Sequence, residues 1–197
     1  MDDLKEILRG IAKKKPHVIK ERINVGDYIE KSMGLVYEID DLDIYKQLEG
    51  YKEGSVPYGP IYYGLKSDFS GIMNLFNKEG EEKEGKKVLK FSKVVKAGLG
   101  QCLEKAVLSH LATQNQRDSF FINGALSMED DFAGEHAYNL VEFNSKLHLT
   151  DIENPLRVDE NKKITHPYVA PIDGINVKLG RFLVPTEWQQ GRFYELD

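Results

Sequence analysis

The rhythm of apolar and polar positions changes once along this chain, near residue 97. Ahead of that point the signals are short and broken. MDDLKEILRGIAKKKP places Leu4, Ile7, Leu8 and Ile11 on one side of a helix over residues 2–14, closed by the Lys13–Lys15 run and Pro16. VIKERINVGDYIEKSMGLVYEI reads as helix and short strand around Gly26 and Gly34, and YKEGSVPYGPIYYGL as a Gly/Pro/Tyr-rich loop or irregular layer. SDFSGIMNLFNKEG predicts a helix with Ser67 or Asp68 as N-cap. The alternating charges of EGEEKEGKK, residues 79–87, predict a solvated loop or hairpin tip.

From residue 97 the pattern sharpens. AGLG is a loop, and QCLEKAVLSHLATQNQ is a helix whose apolar positions 103, 106, 107, 111 and 112 form one stripe. SFFINGALS is an apolar strand. EHAYNLVEF, the turn NSK and LHLTDI make a β-hairpin, and ITHPYVAP through GRFLVP reads as further extended chain before TEWQQGRFYELD. Mixed helices, one well-marked helix and then an antiparallel sheet predict an α+β fold. The expected division is a mixed, partly helical region over residues 1–92 and a core over residues 93–197, packed as one compact unit.

Composition narrows the function. A chain of 197 residues with 41% hydrophobic and 30% charged residues has the balance of a folded domain. A net charge of −5 argues against nucleic-acid binding, which needs a concentrated basic surface. One cysteine forms no intramolecular disulfide and supplies too little for a structural zinc site. No apolar run reaches the length of a membrane span, and the N-terminus lacks the apolar core of a signal peptide. The expected setting is the cytoplasm, or export without a cleavable signal peptide, with no membrane partner, cofactor or metal.

That single cysteine, Cys102, stands where a loop becomes a helix. A thiol is nucleophilic as thiolate, and a helix N-terminus and a neighbouring imidazolium both favour that form. The hairpin offers the second device. A turn centred on Asn144-Ser145 sets Phe143 opposite Lys146, Leu140 opposite Leu149 and Asp151 opposite Tyr138. His136 and Asp151 then share a face as diagonal neighbours, roughly 7–8 Å apart, and the same face continues through Leu140 as a core-facing surface. The other histidines fit less well. His148 points to the opposite face, His110 lies about 12 Å up the cysteine's own helix, and His17 and His166 adjoin prolines. Glu104 in the first helical turn reads as a capping charge favoured by the helix dipole. The acidic run Glu129, Asp130, Asp131 and Glu135 ahead of His136 reads as a solvated loop, or as a rim attracting a cationic substrate or an amine.

GLGQCLEKAVLSHLATQ followed by GEHAYNLVEFNSKLHLTDIENP resembles the core of transglutaminase-like proteins among the papain-like cysteine enzymes. The matching residues are Gly100 and Cys102, His136-Ala137-Tyr138, and Asp151 with Asn154-Pro155, over roughly residues 95–156. Spacings of 34 and 15 residues suit the compact, microbial-type members. The resemblance implies Cys102 as nucleophile, His136 as general base and acid, Asp151 as the group orienting it, and a cysteine helix packed on an antiparallel sheet. The aromatic that the family places near the oxyanion hole has no clear counterpart. Gln101 and Tyr138 are carried as oxyanion or site-lining candidates, with Tyr62 and Tyr63 beside them; the backbone N–H of Cys102 is the one well-founded donor. Arylamine acetyltransferases share the three-residue logic but carry an Arg-Gly-Gly run that is missing here. The expected activity is cysteine-dependent acyl transfer from an amide of a protein or peptide, as peptidase, amidase or glutamine deamidase. A crosslinking transglutaminase and a non-catalytic binding domain on the same fold are the alternatives, and residues 1–92 would serve recognition or regulation.

Overall fold

The computed structural model describes residues 18–32, 34–54, 57–116, 118–128, 131–143, 146–153, 157–158, 164–165 and 193–195. The N-terminal helix expected over 2–14, His17, His166 and most of the chain after Thr165 lie outside them. The fold is mixed α+β, as the element order predicted. Strands β1 (Val18–Lys20), β2 (Tyr28–Ser32) and β3 (Leu35–Glu38) come first. A 3-10 turn (Ile44–Gln47), α1 (Tyr58–Gly64) and α2 (Phe69–Glu79) follow. Then come β4 (Glu81–Lys83), β5 (Lys86–Lys90), α3 (Phe91–Lys96) and α4 (Cys102–Thr113). Strands β6 (Ser119–Met128), β7 (Asp131–Phe143), β8 (Lys146–Thr150), β9 (Arg157–Val158), β10 (Ile164–Thr165) and β11 (Phe193–Glu195) complete the described order.

Two sheets frame α4. One is antiparallel, in the order β1-β6-β7-β8-β11; the other, β2-β3-β5-β4, is mixed, with β3 and β5 parallel. Tyr37 of β3 and Ser119 of β6 both bond to α4, so the helix lies between the two sheets. Each of Leu103–Thr113 is buried, including the polar Glu104, Lys105, Ser109 and His110. The expected one-sided apolar stripe is therefore a helix enclosed all round. Its polar side chains are tolerated where they meet partners brought from far along the chain. The apolar ones join a single cluster running from Ile23 to Ile152. Each Leu or Val removed from water there contributes about 1.5–3 kcal/mol.

Several local expectations change. YGPIYYG forms α1, because Pro60 stands in its first turn, where a missing N–H costs no intrahelical bond. The stretch around Gly26 and Gly34 holds the β2–β3 pair and no helix among the described residues. The EGEEKEGKK run, by contrast, is the hairpin tip, one of its two expected forms: β4–β5 turns on Glu84 and Gly85, both at positive φ (49° and 75°), the geometry of a tight two-residue turn. The expected boundary between residues 92 and 93 falls inside α3. Asp68, not Ser67, caps α2, accepting from the Gly71 N–H at 2.9 Å. The N-terminal half is tied to α4 by Gln114, whose side chain bonds both the N–H and the carbonyl of Ile23 (2.9 and 3.0 Å).

Candidate active site

The loop that delivers Cys102 is braced on both sides. The Lys66 N–H donates to the Gly98 carbonyl at 2.8 Å, and the Gly100 N–H to the Lys66 carbonyl at 3.0 Å, so Leu99 pairs with Lys66 as a short parallel bridge. Gly100 is needed for that approach: a Cβ there would stand 2.7 Å from Leu65 Cδ1 and 3.1 Å from Glu104 Cβ. Gln101 is the N-cap of α4 and Cys102 its first residue. Cys102 is half-buried, the one residue of α4 that is not fully buried. The first amides of a helix have no carbonyl inside it to bond, which leaves the Cys102 N–H free to face a developing oxyanion.

One buried and one half-buried ion pair flank this turn. On the side of the mixed sheet, Glu104 is fully enclosed and Lys31 is 7% exposed; Lys31 Nζ lies 2.9 and 3.1 Å from the two Glu104 oxygens. Tyr37 Oη donates to Glu104 Oε1 at 2.6 Å, and the Gln101 N–H donates to Glu104 Oε2 at 2.8 Å. Glu104 is thus the capping charge expected from sequence, in a capping box with Gln101. Burial first, and then the adjoining carboxylate, hold the Tyr37 phenol protonated far above its usual range. Lys31 also donates to Gln101 Oε1 at 3.2 Å, which fixes that side chain beside the thiol turn.

On the other side, Lys105 pairs with Glu153, donates to Ser67 Oγ at 3.0 Å and lies 5.5 Å from the centre of the Tyr62 ring. Ser67 Oγ in turn donates to Glu153 Oε1 at 2.7 Å. Tyr62 is therefore occupied by Lys105, and Tyr63 is 79% exposed. Sequence reasoning missed Lys31, Lys105, Ser67 and Glu153 as neighbours of Cys102. Helical spacing of three between Cys102 and Lys105 was the one available signal.

The hairpin register is the expected one: Phe143 pairs with Lys146, Leu140 with Leu149 and Asn139 with Thr150. Strand β7 begins at Asp131, earlier than expected, so Asp131 and Glu135 belong to the strand and not to a solvated loop; Glu129 and Asp130 lie outside the described residues. The backbone of His136 pairs with Gly124; its side chain, like that of His148, is outside the described residues, as are Asn154 and Pro155. Asp151 is buried and close enough to Tyr138 that its charge helps to raise the phenol pKa, after burial itself.

The face that meets α4 differs from the expected one. Ser119 bonds to His110, and the β6 ring of Phe121 lies 6.4 Å from that imidazole, so the odd positions of β6 face α4. Their partners on β7 are Val141 and Asn139, with Ala137 opposite Asn123; Ala137 joins the α4 core. Tyr138 and Leu140 take the reverse face, and Asp151, beside Tyr138, goes with them. The expected core-facing surface through Leu140 is thus buried on the side away from α4, where Tyr138 also lies, with Asp151 beside it.

His110 is fully buried, with Nδ1 2.9 Å from Ser119 Oγ. Burial pushes its pKa down to about 3, opposed by the Glu21 backbone and helped by Arg22 and Lys20. Among the described residues no His, Cys, Asp and Glu cluster is placed to hold a metal ion, and no helix is long and apolar enough to cross a membrane. Compared with protein-family models and with curated proteins, the chain matches none.

Proposed function

We propose that this chain is a cysteine-dependent acyl-transfer enzyme that attacks an amide of a protein or peptide, with Cys102 as nucleophile. One observation carries the reading: Cys102 is the one residue of an otherwise buried central helix that is only half-buried, and it stands in the first turn, where its own N–H has no carbonyl within the helix to bond. The sequential order of cysteine helix and three antiparallel strands agrees with it. In this scheme the Cys102 thiol gives its proton to His136, its sulfur bonds the amide carbon, and the Cys102 N–H stabilises the oxyanion. His136 gives a proton to the departing amine as the C–N bond breaks. Water, losing its proton to His136, then cleaves the thioester to a carboxylate and restores the thiol. Hydrolysis as peptidase or glutamine deamidase is the favoured outcome; an amine in place of water makes the same chemistry a transglutaminase.

A second reading, a non-catalytic binding domain, is favoured by the face assignment: the two-residue alternation of β7 gives positions 136, 138 and 140 one face, the side away from α4, and Asp151 lies beside Tyr138. The two separate on incubation with an activated peptidyl ester. The enzyme reading predicts an acyl adduct at Cys102 by intact-protein mass spectrometry, with turnover lost in Cys102→Ala and in His136→Ala. Equal turnover by wild type and His136→Ala would overturn the scheme.

A further inference from the structure

Away from the thiol turn, the middle of α4 holds a polar layer that its own side chains do not satisfy. On the β6 side, His110 Nδ1 meets Ser119 Oγ, and Thr113 Oγ1 donates to the Ser109 carbonyl at 2.8 Å. On the opposite side, Lys105 reaches Glu153, just past β8. With 3.6 residues per turn, Ser109 projects between the directions of Lys105 and His110, toward β7. There β7 presents Asn139, the strand partner of Phe121, whose ring packs against His110. Asn139 is 1% exposed and Ser109 fully enclosed.

Ser109 Oγ and both Oδ1 and Nδ2 of Asn139 have no hydrogen-bond partner among the described residues. Each such buried group costs about 1–3 kcal/mol if left unmet. Three of them would consume a large part of the ~5–15 kcal/mol by which a domain is stable. The group that answers them must both donate and accept, because Asn139 offers one atom of each kind. It must also be small and uncharged, because the layer contributes a neutral imidazole, a hydroxyl and a carboxamide. Buried waters typically make about three hydrogen bonds of this sort.

We propose that the α4–β6–β7 interface is an internal hydration site, holding at least one buried water on the Asn139 carboxamide and Ser109 Oγ. A high-resolution crystal structure of the full chain should show water density about 2.7–3.2 Å from both groups. Either Asn139 turned onto a protein partner or a dry gap between the two residues would overturn the proposal. Thermal unfolding supplies an independent sign. With water in place, Asn139→Leu breaks satisfied bonds and lowers the midpoint by about 2–4 °C or more. Without it, the change removes an unpaired polar group and leaves the midpoint unchanged or raised. If Asn139→Leu does not fold, Ser109→Ala reads the same quantity. Alanine is the better helix former, so a lowered midpoint supports a hydrated hydroxyl and a raised or unchanged one contradicts it.

Discussion

Replacing Lys31 by methionine removes the cation from a carboxylate that has no access to water. At 2.9 Å the Lys31–Glu104 attraction is gross about 6 kcal/mol at an effective dielectric near 20. Most of this offsets the cost of bringing both charges out of water, so the intact pair adds little net stability. The broken pair is another matter. Glu104 stays fully buried, still accepting from Tyr37 and from the Gln101 N–H, with its charge uncompensated. Lys31→Met is expected to cost about 3–5 kcal/mol, read as a fall in the urea midpoint at unchanged m-value. Adding Glu104→Gln to that variant deletes the stranded charge, with the amide oxygen accepting from the Gln101 N–H and the amide NH2 turned to the Tyr37 oxygen, so the double variant should recover about 2 kcal/mol. A Lys31→Met loss under about 1 kcal/mol, or a double variant no more stable than Lys31→Met, would refute the reasoning.

Other consequences are more local. His110 has its pKa lowered to about 3 against about 6.5 in the unfolded chain, so the unfolded state binds the extra proton between those values. Stability from this group is full above pH 6.5 and falls as pH drops through that window, by about 2 kcal/mol between pH 7 and 5. His110→Gln should flatten that part of the pH profile of urea unfolding; an unchanged slope would show that other groups set it. Gly100→Ala forces a Cβ against Leu65 and Glu104 and should cost about 1–3 kcal/mol in the same unfolding assay. A neutral Gly100→Ala would mean that the Cys102 loop is not held against Leu65.

Much of the second half of the fold was legible in the sequence, and the reasons are physical. Alternation in EHAYNLVEF and LHLTDI, joined by a short polar turn, fixes one hairpin register, and β7–β8 adopts it. The start of α4 at Cys102 was legible from the loop glycines and from Glu104 three residues past the cap. The side of the hairpin that meets the helix was not. That choice is made by a neighbouring strand, through Ser119 on His110, and it moves Asp151 to the layer of Tyr138. Enclosure of α4 was equally hidden, because Glu104 and Lys105 find partners 73 and 48 residues away and so present as ordinary surface charges. The helix at Tyr58–Gly64 was masked by its own Gly and Pro content, although proline is harmless in a first turn.

The reactivity of Cys102 tests the central claim most directly. Iodoacetamide is added near pH 6 to native protein, to the same chain unfolded in urea, and to native His136→Ala. If Cys102 is the nucleophile of an acyl-transfer site, the native thiol alkylates about tenfold faster than in the unfolded chain, and His136→Ala abolishes that advantage. A native thiol that reacts no faster than the unfolded one, with His136→Ala indistinguishable from wild type, would contradict the claim and leave Cys102 a structural residue of α4.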